Sequence, residues 1–253
     1  MSRIMSISLS GMTDAARRMN VISHNVANVQ TPGFKAQRPH SADLVASGGE
    51  GAGVVTLAID HSLASGPIIE TGQWSNIAIN GTGYFAVQSP YDGKIYYTRN
   101  GSFHLDSHGF LVNDQGYRLL NTQGNPIPAL DTSSYSSFRI DDQGHIWGIR
   151  PDGTTQDLGN DHQIGIATFS SESGLVSEGG TLYAPSAQSG PADIGQPGSG
   201  GRGLLISGFV EGSNVSIEEE MVGMVLAKAA YEANAKVITT ADEMNKALID
   251  IKT

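Results

Sequence analysis

Side chains able to carry out catalysis or bind metal are present in this sequence, but they are not spaced as such sites require. The seven histidines lack the spacing of metal ligands. His104 and His108 are four residues apart, yet they flank a predicted strand end and turn, which does not direct both rings to one ion. The chain has no cysteine, which excludes disulfides, thiolate catalysis and cysteine-ligated metal. The residue types therefore predict no metal site.

Two further patterns could indicate an enzyme, and neither has the required context. The segment GSGGRG at residues 198–203 matches the G-x-G-x-x-G string, but the strand-like LLISGF follows it where a dinucleotide site needs a helix. Asp141, Asp142 and Asp152 lie in turn-forming sequence, and acid–base catalysis needs two carboxyl groups that converge in a cleft. No Gly-x-Ser-x-Gly motif is present either. We therefore predict no catalytic residue, no cofactor and no enzymatic activity.

The polar groups with a distinctive pattern are amides near the amino terminus. Asn20, Asn25 and Asn28 fall within NVISHNVANVQTPGFKAQR, residues 20–38. Asparagine competes with the helix backbone for hydrogen bonds, so a helical segment that carries three of them gives up intrinsic stability. In exchange it presents amide groups that can pair with another element or with another chain.

The element that positions these amides is an amphipathic helix. Its apolar residues recur in steps of three and four, as one helical face requires. The helix is predicted from about residue 4 to residue 29, because Pro32 disfavours helical angles at Thr31 and Gly33 permits a sharp turn. The apolar positions are Met5, Leu9, Met12, Ala16, Met19, Ile22, Val26 and Val29.

A second long helix is predicted at the carboxyl end. Ser216 and Glu219 have the spacing of a capping box, and Glu218 and Glu220 are favourable at the positive end of the helix dipole. Behind this start the apolar positions approach a heptad repeat that Lys228 interrupts. They are Ile217, Met221, Met224, Tyr231, Ala235, Ile238, Ala241, Met244, Leu248 and Ile251.

Between the helices the sequence predicts an antiparallel β-rich domain over residues 71–214. Short apolar runs alternate there with hairpin turn signals such as Asp92-Gly93 and Asn100-Gly101. Residues 35–70 read as an extended connector, and residues 184–203 as a long surface loop, because both are poor in core-forming residues. The prediction is an α+β fold, with residues 1–34 and 215–253 as a discontinuous helical assembly domain.

Two arrangements of the long helices remain open from the pattern alone. They can pair within one monomer as an antiparallel coiled coil, or they can pair and also pack against other copies of the chain. Each helix has an apolar stripe too narrow to be stable alone in water, so some partner is required.

The composition and charge of the chain argue against some classes of partner. A net charge of −10 with 15 scattered basic residues argues against nucleic acid, which needs clustered lysine and arginine. The first thirty residues contain charged side chains throughout and no uninterrupted apolar stretch, so we predict no cleaved signal peptide. No segment has the length and hydrophobicity of a membrane span, and we predict no membrane insertion.

Three ordered motifs resemble the bacterial flagellar axial proteins, the family of rod and hook proteins. The first is the amino-terminal signature, with Ser10-Gly11, Asn25, Asn28 and the run from Thr31 to Lys35. The second comprises IAINGTGYFAVQ and YTRNGSFHLDSHGFLVNDQGYRLL in the middle of the chain. The third is the carboxyl-terminal helix around Tyr231-Glu232-Ala233-Asn234-Ala235-Lys236. The chain departs from the family pattern at His24, Val26 and Lys228-Ala229, which indicates a divergent or specialised member.

The resemblance implies a structural subunit of the flagellar axial tube, exported by the flagellar type III apparatus and assembled helically through its terminal helices. Its partners would be further copies of itself, other rod and hook proteins, and ring or bushing proteins around the rod. It would be located in the flagellar basal body as part of the periplasmic rod, or outside the cell if it is a hook protein.

The length favours a rod-type subunit, and we favour the distal rod. A short hook protein or hook-like paralogue is the alternative, and an exported β-sandwich hydrolase is the alternative from another class. Taken with the two apolar stripes, the resemblance predicts a common set of subunit contacts. These are Met5, Leu9, Met12, Asn20, Asn25, Asn28, Pro32, Gly33, Phe34, Met221, Met224, Tyr231, Asn234, Ile238, Met244 and Leu248.

Overall fold

The computed structural model describes residues 2–251, except for the side chains of Ser2, Leu248, Asp250 and Ile251. The chain divides into two compact units. The helical unit consists of the residues up to Val29, Ala36–Ser62 and the residues from Val215 onward. The β-rich unit consists of Gln30–Lys35 and Leu63–Asn214.

Two long helices form most of the helical unit. Helix α1 spans Ser2–Ala27 and helix α2 spans Ile217–Ile251. Helix α1 begins and ends two residues before its predicted bounds, and α2 begins directly after the predicted capping residue Ser216. Ser216 caps α2, since its Oγ accepts a hydrogen bond from the Glu219 backbone N–H at 3.4 Å. Among the described residues, no helix is long and apolar enough to cross a bilayer.

A hairpin completes the helical unit. Strands β1 (Gln37–Val45) and β2 (Gly51–His61) pair antiparallel, from Gln37 opposite His61 to Val45 opposite Gly51. These residues fall in the segment predicted as an extended connector. The apolar run from Val54 to Ile59 is typical of a strand, but the glycine-rich residues 47–53 before it led instead to the prediction of a connector.

The β-rich unit contains sixteen short strands among the described residues, and every pairing between them is antiparallel, as predicted. The strands are β3 (Ile68–Glu70), β4 (Ile77–Asn80), β5 (Tyr84–Gln88), β6 (Ile95–Thr98), β7 (His104–Leu105), β8 (Leu111–Val112), β9 (Arg118–Leu119), β10 (Ser137–Ile140), β11 (Ile146–Ile149), β12 (Thr155–Asp157), β13 (Ile166–Thr168), β14 (Val176–Gly179), β15 (Leu182–Ala184), β16 (Asp193–Gly195), β17 (Leu204–Ser207) and β18 (Phe209–Glu211).

The largest sheet has nine strands. Seven follow the order β14-β15-β6-β5-β9-β8-β7, and β13 pairs with both β5 and β16. Smaller sheets are formed by β10-β11-β12, by β17-β4 and by β18-β3. Strand β16 lies within the predicted surface loop 184–203. Its Asp193 forms an ion pair with Arg202 at 2.7 Å, and the Arg202 side chain is buried.

The large apolar side chains of the β-rich unit form its core. Phe85 on the central strand β5 is fully buried, and its ring meets Phe103 edge to face with centroids 5.2 Å apart. Leu119, Ile146, Ile164 and other buried residues surround this pair. The unit therefore has a conventional packed core.

Replacing Phe85 by alanine should lower the free energy of unfolding of the β-rich unit by about 3–5 kcal/mol, because the lost contacts and the cavity both cost free energy. Urea unfolding followed by tryptophan fluorescence measures this, since Trp74 and Trp147 both lie in this unit. Tyr91→Ala, at a side chain that is 88% exposed, is the control and should change stability by less than about 0.5 kcal/mol. Equal effects of the two changes would contradict the assigned core.

Candidate assembly interface

The two helices of the helical unit run antiparallel and approach closely. Asn234 lies against Gly11, and Ile22 lies against Gly223. Gly11 and Ile22 are eleven positions apart, and so are Gly223 and Asn234. The two contacts therefore share one antiparallel register. A Cβ atom on Gly11 would lie 2.8 Å from the Asn234 side-chain amide, so a larger residue there would require this amide to move.

A buried amide joins the helices to the hairpin. Asn25 is 1% exposed, and its Nδ2 donates to the backbone oxygen of Gln37 and to Glu220 Oε1, each at 2.9 Å. Its Oδ1 accepts from the Gln37 backbone N–H at 2.8 Å. One side chain on α1 therefore binds both β1 and α2 within the same unit.

The other two asparagines are placed differently. Asn28 Nδ2 donates to the backbone oxygen of His24 at 2.9 Å, which closes the last turn of α1. Asn20 is exposed. Of the three amides that the sequence singles out, Asn20 is therefore the one whose side chain is presented to solvent.

A buried carboxylate attaches both strands of the hairpin to α1. Asp14 is 7% exposed and accepts hydrogen bonds from Ser41 Oγ on β1 at 2.5 Å and from Thr56 Oγ1 on β2 at 2.9 Å. Arg18 Nε donates to the same carboxylate at 2.7 Å. Burial acts to raise the pKa of Asp14, but the hydrogen bonds from Ser41, Arg18 and Thr56 outweigh it and lower the pKa below its ordinary value of 3.8.

The Thr-Pro-Gly-Phe-Lys motif after α1 lies in the β-rich unit. The Gly33 N–H donates to the backbone oxygen of Glu211 at 2.7 Å. Gly33 has a φ of +70°, and a Cβ there would overlap the backbone of Arg99 and Asn100. Phe34 is 8% exposed. The motif is thus packed within the chain, and glycine is required by both its backbone angle and its close neighbours.

Lys35, the last residue of the motif, belongs to a buried ion cluster. Glu211 is 1% exposed and accepts from Lys35 Nζ and from Arg99 Nε, each at 2.7 Å. Arg99 also donates to the backbone oxygens of Gly81 and Gly83 at 2.9 and 2.6 Å. Burial lowers the pKa of Lys35, and the neighbouring Glu211 carboxylate opposes that effect. Lys35 and Glu211 are far apart in sequence, so the sequence offered no signal that pairs them.

The predicted contact residues differ in how much surface they present. Leu9, Met221, Met244 and Tyr231 are 59%, 63%, 46% and 37% exposed. The half-buried members are Met5, Met12, Asn28, Pro32, Met224, Asn234 and Ile238, and the buried members are Asn25, Gly33 and Phe34. The side chain of Leu248 lies outside the described part of the chain.

Several exposed apolar residues on α2, including Val222, Val225 and Leu226, were not among the predicted contacts. Val222, Val225 and Leu226 are 61%, 67% and 66% exposed. The predicted contacts on α2 were taken from a single apolar stripe with near-heptad spacing. Val222, Val225 and Leu226 lie outside this stripe. They extend the exposed apolar surface of the helical unit.

The side chains considered for metal binding and catalysis can be placed in the described part of the chain. Within residues 2–251 there is no cluster of three or more histidine, aspartate or glutamate side chains that could hold a metal ion. The predicted turn role of Asp141 agrees with its geometry, since its Oδ1 accepts from the backbone N–H groups of Gln143 and His145 at 3.0 and 2.8 Å.

Three family models match separate parts of the chain. The flagella basal body rod protein model matches residues 5–35, and the flagellar hook protein FlgE/F/G D1 domain matches residues 78–148. The flagellar basal body rod FlgEFG protein C-terminal model matches residues 206–251. The matched regions follow the same order as the three motifs recognised in the sequence.

Relatives of known type align with nearly the whole chain. The flagellar basal-body rod protein FlgG of Bacillus subtilis is 37% identical over 270 residues, which cover 100% of both chains. The flagellar basal-body rod protein FlgG of Borreliella burgdorferi is 35% identical over 264 residues, or 96% of each chain. The flagellar hook protein FlgE of Escherichia coli is 22% identical over 403 residues, which cover 98% of this chain and 99% of its own.

Replacing Glu211 by alanine should destabilise the β-rich unit by about 3–5 kcal/mol, because Lys35 and Arg99 would remain buried without their shared carboxylate. Urea unfolding followed by tryptophan fluorescence provides the measurement. The same substitution at the exposed Glu178 should cost less than about 0.5 kcal/mol. A Glu211→Ala variant as stable as the Glu178→Ala control would refute the role of the cluster.

The attachment of the hairpin should weaken in acid. Because the folded-state pKa of Asp14 lies below its ordinary value of 3.8, its contribution is complete above about pH 4 and is lost as the pH falls through the lower folded value. Thermal unfolding by circular dichroism should therefore show a difference between the unaltered chain and Asp14→Asn at pH 7 that shrinks toward pH 2. A difference independent of pH would contradict this account.

Proposed function

Because the chain belongs to the family of flagellar rod and hook proteins, we propose that it is a structural subunit of the rod in the flagellar basal body. The family consists of structural proteins and not of enzymes. The family assignment therefore argues against the alternative of an exported hydrolase.

A rod subunit is favoured over a hook subunit by the degree of similarity. The rod proteins FlgG named above are 37% and 35% identical to this chain, whereas the hook protein is 22% identical. The alignment with the hook protein also extends over 403 positions, compared with 253 residues in this chain, so it includes long gaps. We propose the distal part of the rod as its position, with other rod and hook proteins as neighbours and ring or bushing proteins around it.

The observation that supports self-assembly is the apolar surface of the two helices. Exposed apolar side chains extend along α2, and others lie on α1. In a monomer these side chains stay in contact with water, whereas contact with further copies would bury them. The exposed residues are Ile4, Leu9, Val26, Met221, Val222, Val225, Leu226, Tyr231, Val237, Met244 and Ile249.

We assign the subunit contacts to those predicted residues whose side chains are exposed. These are above all Leu9, Met221, Tyr231 and Met244, with the half-buried members of the predicted set at their edges. Asn25, Gly33 and Phe34 serve contacts within the chain, as their buried hydrogen bonds and packing indicate.

The pairing of α1 with α2 is proposed to be coiled-coil-like. The antiparallel contacts keep a constant register, and the near-heptad spacing on α2 suits such packing. Export by the flagellar type III apparatus is proposed on the family assignment.

A charged residue on the exposed helix surface should block polymerisation without unfolding the chain. Leu9→Glu replaces a side chain that is 59% exposed, so the monomer should fold, but a contact with another copy would bury an unpaired carboxylate. We expect the unaltered chain to form filaments with rising concentration in sedimentation velocity and electron microscopy, and Leu9→Glu to remain monomeric. Tyr91→Glu, at a side chain of the β-rich unit that is 88% exposed, is the control outside the helical unit and should polymerise. Filament formation by Leu9→Glu equal to that of the control would refute the proposed contact.

A further inference from the structure

The chain passes between its two units at four points. The first follows Val29, after α1, and the second follows Lys35, where the chain enters the hairpin. The third follows Ser62, at the end of the hairpin, and the fourth follows Asn214, just before α2. About 190 residues lie between the end of α1 and the start of α2, so bringing these helices together has a large entropic cost.

Residues of the β-rich unit next to three of these points are hydrogen-bonded to one another. The backbone oxygen of Ala64, which follows the hairpin, accepts from Lys35 Nζ at 2.8 Å and from Asn214 Nδ2 at 2.7 Å. The Asn214 backbone N–H also donates to the backbone oxygen of Phe34 at 3.4 Å. One carbonyl oxygen thus joins the chain before the hairpin, after the hairpin and before α2.

Glu211 adds buried bonds at the same place. Its Oε1 accepts from Lys35 Nζ at 2.7 Å and from the Gly66 backbone N–H at 2.9 Å. Its backbone oxygen accepts from the Gly33 N–H at 2.7 Å, close to the point where the chain arrives from α1. Glu211 and Lys35 are 1% and 4% exposed, so these bonds are shielded from water. All four passages of the chain therefore lie within a few residues of this cluster.

We propose that Lys35, Ala64, Glu211 and Asn214 form a junction clamp, on which the pairing of α1 with α2 depends although the clamp lies in the β-rich unit. When the clamp is closed, the tether between the helices shortens to about a dozen residues, 28–33 and 212–216. The loop-closure relation then gives a gain of up to roughly 60-fold in the equilibrium constant for pairing, compared with a tether of about 190 residues.

The buried charges make the clamp specific. An arrangement that left Lys35 or Glu211 buried and unpaired would be strongly disfavoured, so the ends of the chain are held in one way. The clamp is independent of the proposed function, because all its bonds lie within one chain. In the proposed polymer it would have a further consequence. The helix pair that carries the exposed apolar side chains would form on a chain whose β-rich unit has already folded.

Hydrogen exchange followed by mass spectrometry tests the clamp in the full chain, because it reports the opening of α1, α2 and β5 separately. The measurement is made at a concentration where sedimentation velocity shows monomers. Lys35→Met removes two bonds of the clamp and leaves Glu211 paired with Arg99 at 2.7 Å. Lys94→Met makes the same exchange at a side chain that is 71% exposed, and is the matched control.

Two further variants separate the clamp from the general stability of the β-rich unit. Asn214→Ala removes the bond to Ala64 and leaves no buried charge unpaired, so it tests the clamp even if Lys35→Met does not fold. Phe85→Ala weakens the core of the β-rich unit and leaves the clamp residues unchanged. The fluorescence of Trp74 and Trp147 shows whether the β-rich unit is folded in each variant.

We expect the amides of α1 and α2 to exchange about threefold to tenfold faster in Lys35→Met than in the unaltered chain, within the limit set by loop closure. The amides of β5 should change less than those of the helices. Asn214→Ala should show the same pattern with a smaller effect, and Lys94→Met should match the unaltered chain. Phe85→Ala should accelerate β5 more than the helices.

Three results would overturn the clamp. The first is unchanged exchange of α1 and α2 in both clamp variants, whatever happens in β5. The second is equal acceleration of the helices and β5 by Lys35→Met, because that indicates a general loss of stability. The third is acceleration of the helices by Phe85→Ala as large as that by Lys35→Met. Failure of the chain to polymerise at higher concentration would count against the proposed function only, since the exchange is measured on monomers.

Discussion

The hydrogen bonds of the buried Asn25 amide are the interaction on which the helical unit depends. They join α1 to β1 and to α2 through one side chain that is 1% exposed. In the described part of this unit, the buried apolar residues are Ala15, Val21, Ala36, Ala227 and Ala241, so large apolar side chains contribute little to its interior. Amides and carboxylates therefore set the geometry there, because leaving a buried polar group unpaired costs about 1–3 kcal/mol.

The use of polar groups to hold the helical unit together affects which side chains remain available for assembly. If the helices relied on leucine and methionine to hold each other, those side chains would face inward and little apolar surface would remain. Instead Gly11 lies against Asn234 and Gly223 against Ile22 where the helices meet, and several larger apolar residues such as Leu9, Met221 and Val225 remain exposed. A subunit built this way has a defined helix register on its own, while the free energy from burying its exposed apolar side chains would become available only in the proposed polymer.

The helices and the antiparallel β-rich unit could be predicted from sequence because apolar periodicity and turn residues are local signals. The attachment of the β1–β2 hairpin to α1 could not, since it depends on hydrogen bonds such as those from Ser41 and Thr56 to Asp14. These residues are far apart in sequence, and hydrogen bonds between them leave no local apolar pattern to detect. The sequence also could not show which element the Asn25 side chain binds. A helix face that packs against a hairpin has the same pattern of residues as one that packs against another subunit.

The family motif after α1 illustrates a further limit. Gly33 is explained by a positive φ and by the backbone packed against it, and Lys35 by its ion pair with Glu211. None of these requirements concerns a neighbouring subunit. A buried ion pair adds little net stability over an apolar pair of similar volume, but it strongly disfavours arrangements that leave either charge unpaired. The residues that identify the chain are thus residues that specify its own fold, and the surfaces proposed to join subunits are carried by less distinctive apolar residues such as Val222 and Val225.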